Sequence, residues 1–327
     1  MKNSSKRYWG FDTKTIDKTV RPQDDFYRYA NGSWLKKTAV PPEESRWGSF
    51  TMLRYDTEHQ LKALVEGLKG RYPKGSDAQL VADAYASAMD YKRRNKLGIA
   101  PIAHLRQEVY AIETVEDMLK VVSSFHARGI PSLWGAFVDQ DSKQSTRYLL
   151  HLWQGGLSLP DRDYYLKTDE ASEAIRTDYR AHVAAMLALA GVAKGESDAE
   201  ARAVLAFETE LARVSLPREE LRDPDKTYHK IDVAGLEKLA PSLPWRDFLA
   251  ATGYPDVHDV NVAVPAFFEG LGRLVPAAAI GDLRAYLRWH AVHGMAPALS
   301  SAFVDEDFSF YGKRLRGARE VQPRWKR

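Results

Sequence analysis

The 327-residue chain has no cysteine, which excludes disulfides, thiolate metal ligands and a cysteine nucleophile while leaving its compartment open. No apolar run approaches the roughly 18 residues that a membrane-crossing helix needs. A charged start, Met1-Lys2-Asn3-Ser4-Ser5-Lys6-Arg7, is followed by Tyr8-Trp9-Gly10-Phe11-Asp12 where the apolar core of an export leader would stand, so no export signal is expected. Charge of one sign is nowhere concentrated: 47 Lys and Arg are interspersed with 44 Asp and Glu, which argues against a nucleic-acid partner. No internal repeat, low-complexity linker or charge block marks a clean domain boundary.

With 44% hydrophobic and 28% charged residues, the chain has the composition of a folded protein able to bury one large core or two smaller ones. Apolar residues recur at three and four, the period of a helix. Ser76 is placed to N-cap a helix that carries Leu80, Ala84, Tyr85, Ala88 and Met89 on one face. Val204, Phe207, Leu211 and Val214 form a second stripe, and Ile280, Leu283 and Leu287 a third; all three are expected to be core stripes. Between 132 and 153 the pattern changes. Leu133 to Val138 and Tyr148 to Trp153 are β-rich runs around the polar Asp139 to Gln144, which predicts a hairpin. Pro160, Pro217, Pro241, Pro244 and Pro265 are expected to end or delay helices, because proline lacks an amide donor and restricts the residue before it. The fold class is therefore mainly α with a small β-hairpin near 132–153.

Several chemical motifs are suggested and then weakened by their own geometry. Asp24 and Asp25 are adjacent, and neighbours point apart in regular structure, so helix capping accounts for them better than a shared metal. His290 and His293 are three apart on a predicted helix, but the nearest acid on that side, Asp282, lies two turns away; no metal site is assigned to them. Gly156-Leu157-Ser158-Leu159-Pro160 ends in Pro where a nucleophile elbow has Gly. Gly270-Leu271-Gly272 lacks the third glycine of a dinucleotide loop.

The run from Arg21 through Pro22, Gln23, Asp24, Asp25, Phe26 and Tyr27 to Asn31-Gly32-Ser33-Trp34-Leu35, followed by Ser45-Arg46-Trp47-Gly48-Ser49-Phe50, resembles the opening of the neprilysin-like zinc metallopeptidases. Further matches follow in order: Gly156 to Tyr165; Glu208-Thr209-Glu210-Leu211-Ala212; Arg222 to Tyr228; Phe308-Ser309-Phe310-Tyr311-Gly312; and Pro323-Arg324-Trp325-Lys326-Arg327. The resemblance thus extends over nearly the whole chain and is of the bacterial, cysteine-free type. It departs at His229, where the family usually has Asn, and at Thr51, where a relative carries an acid that would be a second polar anchor.

The resemblance implies a multi-helix N-terminal region that caps a catalytic domain and encloses peptides. Residues 1–45 would be an arm packed on the catalytic domain, with residues 46–327 as the helical cap. Trp34 would be a buried anchor for that arm. In this family a His-Glu-x-x-His helix holds zinc while its Glu activates water. None of the nine histidines here is followed by Glu, so no catalytic residue and no metal ligand is assigned, and zinc is expected only in the complete enzyme.

Arg46 falls in the segment that supplies an arginine to the family's substrate cleft, where a planar guanidinium suits a peptide's terminal carboxylate or its carbonyls. Its competing role is structural, stacked on Trp47 or paired with an acid. Phe50 would line an apolar subsite one helical turn on, or else pack in the core. The expected function is the non-catalytic half of a metalloendopeptidase, from a truncated gene product or a split enzyme, inactive alone and partnered by peptide and by the missing half. A stand-alone peptide-binding scaffold is the alternative. The face meant for the missing half should be apolar, so the isolated chain should self-associate. Bacterial relatives are often exported, which implies an extracytoplasmic place for an intact parent; the chain itself supplies no address.

Overall fold

A computed structural model describes residues 12–327. The charged start at 1–7 and Tyr8 to Phe11 lie outside the described residues. Two compact units are present: residues up to Ala82 together with Arg316–Arg327, and Asp83–Leu315.

The first unit is built on α1 (Phe26–Lys37) and α2 (Ser49–Glu66), and it includes the start of α3 (Asp77–Met89). Asp25 caps α1 by accepting the Arg28 amide at 2.8 Å, and Asp24 pairs with Arg21 at 3.7 Å, so the two acids do separate, local work. Ser76 lies ahead of α3, its carbonyl accepting the Leu80 amide at 3.0 Å. The stripe expected to be core along α3 is not: no residue of α2 or α3 is buried, and Leu80 is 55% exposed. Periodicity reports an amphipathic face, but burial needs a surface that covers it, and along α2 and α3 the residues are at most half-buried. Trp34 is likewise half-buried rather than the buried anchor expected of it.

The second unit holds the core. After α4 (Tyr91–Leu97), α5 (Ala103–Tyr110) and α6 (Val115–Ala127), the predicted hairpin appears as β1 (Trp134–Gln140) and β2 (Tyr148–Gln154), antiparallel with Phe137 opposite His151. A Thr114/Asp117 capping box starts α6. Then come α7 (Asp163–Leu166), α8 (Glu170–Leu189), α9 (Lys194–Val214), β3 (Lys230–Asp232), α10 (Val233–Leu239), α11 (Trp245–Ala251), β4 (Asp259–Val262), α12 (Pro265–Ala277), α13 (Ile280–Met295) and α14 (Ser301–Asp307). A π-helical stretch, Phe308–Leu315, ends the unit.

The hairpin is only half of its sheet. Order β1-β2-β4-β3 adds β4 parallel to β2 and β3 antiparallel to β4, strands too short for sequence alternation to show them. The prolines fall as expected: Pro265 opens α12, Pro244 precedes α11, and Pro217 and Pro241 follow the ends of α9 and α10. Val204, Phe207, Leu211, Leu283 and Leu287 are buried, so both of those stripes are core, with Trp245, Trp289, Tyr179 and Phe268 filling the centre.

Candidate functional site

Arg46 lies in the loop before α2 and Phe50 in its first turn. Because the helix starts only at Ser49, the two are not stacked one helical turn apart as expected. Both side chains face solvent, Phe50 at 87% exposure, so Phe50 is not a core residue. Arg46 makes no ion pair or ring contact among the described residues, and Trp47 packs edge-on against Tyr55 at 4.9 Å.

What surrounds these two residues is firmly tied down. Glu44 accepts a 2.6 Å bond from Arg54 and a 2.9 Å bond from the Tyr55 hydroxyl, which also donates to Glu43. Burial, and then the two carboxylates, push the Tyr55 phenol above its ordinary range, so it stays a donor. The closing segment folds back on the same structure. Arg319 and Glu320 give their amides to the Pro42 carbonyl, Gln322 bonds Glu44, Trp325 sits 5.1 Å from the His59 ring, and Lys326 pairs with Glu58 at 2.7 Å. Chain segments almost 300 residues apart thus fix the loop that presents Arg46. Sequence reasoning missed Glu44, Tyr55 and Lys326, since only the fold brings them together.

In the second unit the loop Gly156–Tyr165 is held by one buried carboxylate. Glu208, with no solvent exposure, accepts Ser158 Oγ at 2.6 Å, the Tyr165 hydroxyl at 2.8 Å and the Tyr179 hydroxyl at 2.7 Å. Ser158 also accepts Trp289 Nε1 at 2.8 Å, so its oxygen is committed to structure and is no nucleophile. Burial and then the charge of Glu208 raise the Tyr165 and Tyr179 phenols well above their usual range. A turn further on, Asn261 accepts the His229 amide at 2.7 Å and donates to the Thr227 carbonyl at 2.9 Å. The turn therefore needs the backbone at 229, and the exposed His229 side chain takes no part in it.

The histidines do not converge on a metal. His290 Nδ1 donates to the Pro131 carbonyl at 2.9 Å, and His293 stacks on Trp289 at 4.9 Å. Among the described residues no three His, Asp or Glu side chains are grouped so as to hold an ion. Gly270 and Gly272 lie inside α12, away from any strand-to-helix phosphate loop.

A family model described as peptidase family M13 matches residues 22–327. The chain belongs to peptidase family M13. It is the N-terminal region of these neprilysin-like metallopeptidases, the part that the family model covers. It is 31% identical to endothelin-converting enzyme 1 of Cavia porcellus over 327 residues, 95% of this chain and 42% of that protein. It is 28% identical to neprilysin-3 of Drosophila melanogaster, over 96% of this chain and 42% of the relative. The zinc metalloprotease Zmp1 of Mycobacterium tuberculosis, solved with an inhibitor, superposes with a TM-score of 0.91 at 31% identity over 97% of this chain and 48% of that one. The chain therefore spans less than half the length of these relatives. Within an M13 N-terminal region, the motifs that carried the resemblance now have physical roles: Gly156 to Tyr165 and Glu208 are two sides of one buried network.

Proposed function

We propose that this chain is the substrate-enclosing helical part of an M13 zinc metalloendopeptidase, with the hydrolytic chemistry supplied by a second part, carried on the same or another polypeptide. In this reading Arg46 docks a peptide carboxylate or carbonyl, Phe50 contributes an apolar subsite, residues 1–45 form the arm toward the second part, and residues 46–327 form the cap. The observation that carries it is the uncovered apolar surface of α1 to α3. Phe26, Leu53, Leu61, Leu64 and Leu80 are 55 to 69% exposed on helices whose periodic faces were built to be buried, in a chain matching only 42% of its relatives' length. The absence of any His-Glu dipeptide points the same way for the chemistry.

The test combines this chain with the remaining part of an M13 peptidase. Alone, the chain should not cleave peptides and should self-associate; combined, it should support cleavage that a zinc chelator abolishes. Chelator-sensitive hydrolysis by this chain alone sinks the proposal. Tight peptide binding by the chain alone, lost in Arg46→Ala, supports the scaffold alternative in its place.

A further inference from the structure

A groove of about 620 Å³ runs along the solvent face of α9 in the Asp83–Leu315 unit, and the sequence motifs give no sign of it. Its floor is apolar, with Leu205, Phe207 and Leu274, and its rims carry guanidinium groups: Arg176 and Arg180 from α8, Arg202 from α9. A second cavity of about 450 Å³ shares Tyr165 and Arg176 with it and adds Arg162, Lys167 and Arg213, with no carboxylate in its wall. The only acids in the two linings are Glu210 and Asp282, and Glu210 is already paired with Arg213 at 3.1 Å.

The cations are not equivalent. Arg162 is bound to the Ser215 carbonyl at 2.5 Å, and Arg176 to the Tyr164 and Lys167 carbonyls at 2.9 and 2.8 Å; these bonds fix the side chains without neutralising them. Arg180 and Arg202 are exposed and have no ion pair or hydrogen bond among the described residues. Four residues separate Arg176 from Arg180, so both lie on one face of α8. Eleven residues separate Arg202 from Arg213, close to three full turns, so these two also share a face, about 16 Å apart along α9. An isolated small anion can meet only one end of such a row. A ligand that satisfies both ends must be extended, multiply anionic and partly apolar, and about five residues of extended peptide span that distance.

We propose that this groove and the adjoining cavity form a binding site for an extended acidic peptide segment, whose carboxylates engage Arg180 and Arg202 at one end and Arg213, drawn from its exposed pairing with Glu210, at the other, while its backbone and stems lie on the apolar floor. Guanidinium groups suit this role because their planar fork matches a carboxylate, and free cations lose little on pairing. The inference stands apart from the catalytic proposal, since the groove lies wholly in one unit and its test reads binding alone.

The experiment is calorimetric titration of the full chain with acetylated pentaglutamate, with pentaglutamine as the uncharged probe. Pentaglutamate should bind and pentaglutamine should not, and affinity should fall steeply between about 50 and about 500 mM salt as screening shortens the reach of the arginines. The Arg180→Gln/Arg202→Gln variant should bind about tenfold more weakly or worse. Lys92→Gln/Lys96→Gln, which removes the same charge from the exposed face of α4, should bind as the parent does. Equal loss in both variants, or equal binding of the two peptides, overturns the proposal. Complete displacement of the peptide by low-millimolar inorganic phosphate overturns it too, because the site would then be one for small free anions.

Discussion

The Tyr179 hydroxyl donates to Glu208 at 2.7 Å, and neither side chain has any solvent exposure. The same carboxylate accepts Ser158 and Tyr165, so α8, α9 and the Gly156–Tyr165 loop meet at one charge. Glu208→Ala should therefore destabilise the protein by about 3 to 5 kcal/mol, because it strands two buried tyrosine donors and the half-buried Ser158 at once. Tyr179→Phe removes one donor and should cost about 1 kcal/mol. Urea denaturation followed by tryptophan fluorescence, with Trp289 bonded into the network, measures both.

Gly156 opens that loop with φ of 80°, and a Cβ there would meet the Tyr286 hydroxyl at 2.6 Å and the Leu133 carbonyl at 2.9 Å. Gly156→Ala should cost well over 1 kcal/mol, since strain and collision add. Gly191→Ala has a similar φ of 89°, but a Cβ there would meet only Arg106 Nη2 at an ordinary 3.9 Å, so it should cost only the conformational part. Comparable midpoints for the two variants would show that the contact with Tyr286 is not limiting.

His293 is half-buried, and the water it loses there, followed by the nearby His290 and His182, holds its pKa down at about 3; Asp307 lies 3.8 Å away and Tyr311 4.9 Å away. His126, between Trp134 and Phe248, is lowered to about 4 by burial. Each is neutral when folded and takes up a proton more readily when unfolded. The stability each contributes is complete above pH 6.5 and is lost as the pH falls toward 3 or 4, at up to about 1.4 kcal/mol per pH unit for each group. Thermal melts between pH 7 and 4 should show this fall, and His126→Phe should flatten it. Melts independent of pH over that window would contradict the assignment.

Arg46 and Phe50 are exposed, so Arg46→Ala and Phe50→Ala should change stability by less than about 0.5 kcal/mol. In the completed peptidase Arg46→Ala should raise KM for short peptides about tenfold with kcat little altered, the mark of lost binding common to ground and transition states. An unchanged KM across peptides of several lengths removes Arg46 from the site.

The α9 and α13 stripes, the hairpin, the proline breaks and the family were legible in the sequence, because each is written in local spacing or in an ordered set of motifs. The fate of α2 and α3 was not. Leu80 has the spacing of a core residue and stands in solvent, since periodicity encodes a face and only neighbouring surface decides whether that face is covered. The β3 and β4 strands escaped notice because three or four residues hold too little alternation to register.

Residue types alone determined that this chain has no cysteine chemistry and no His-Glu-x-x-His zinc helix. Tertiary structure alone decided that Glu208 organises a loop 50 residues away, that Lys326 closes on Glu58, and that Arg180 and Arg202 stand over one groove with no ion pair among the described residues. The physical reason is that composition and spacing fix what a segment is able to do, whereas burial, pairing and charge balance are properties of atoms that meet only after the chain has folded.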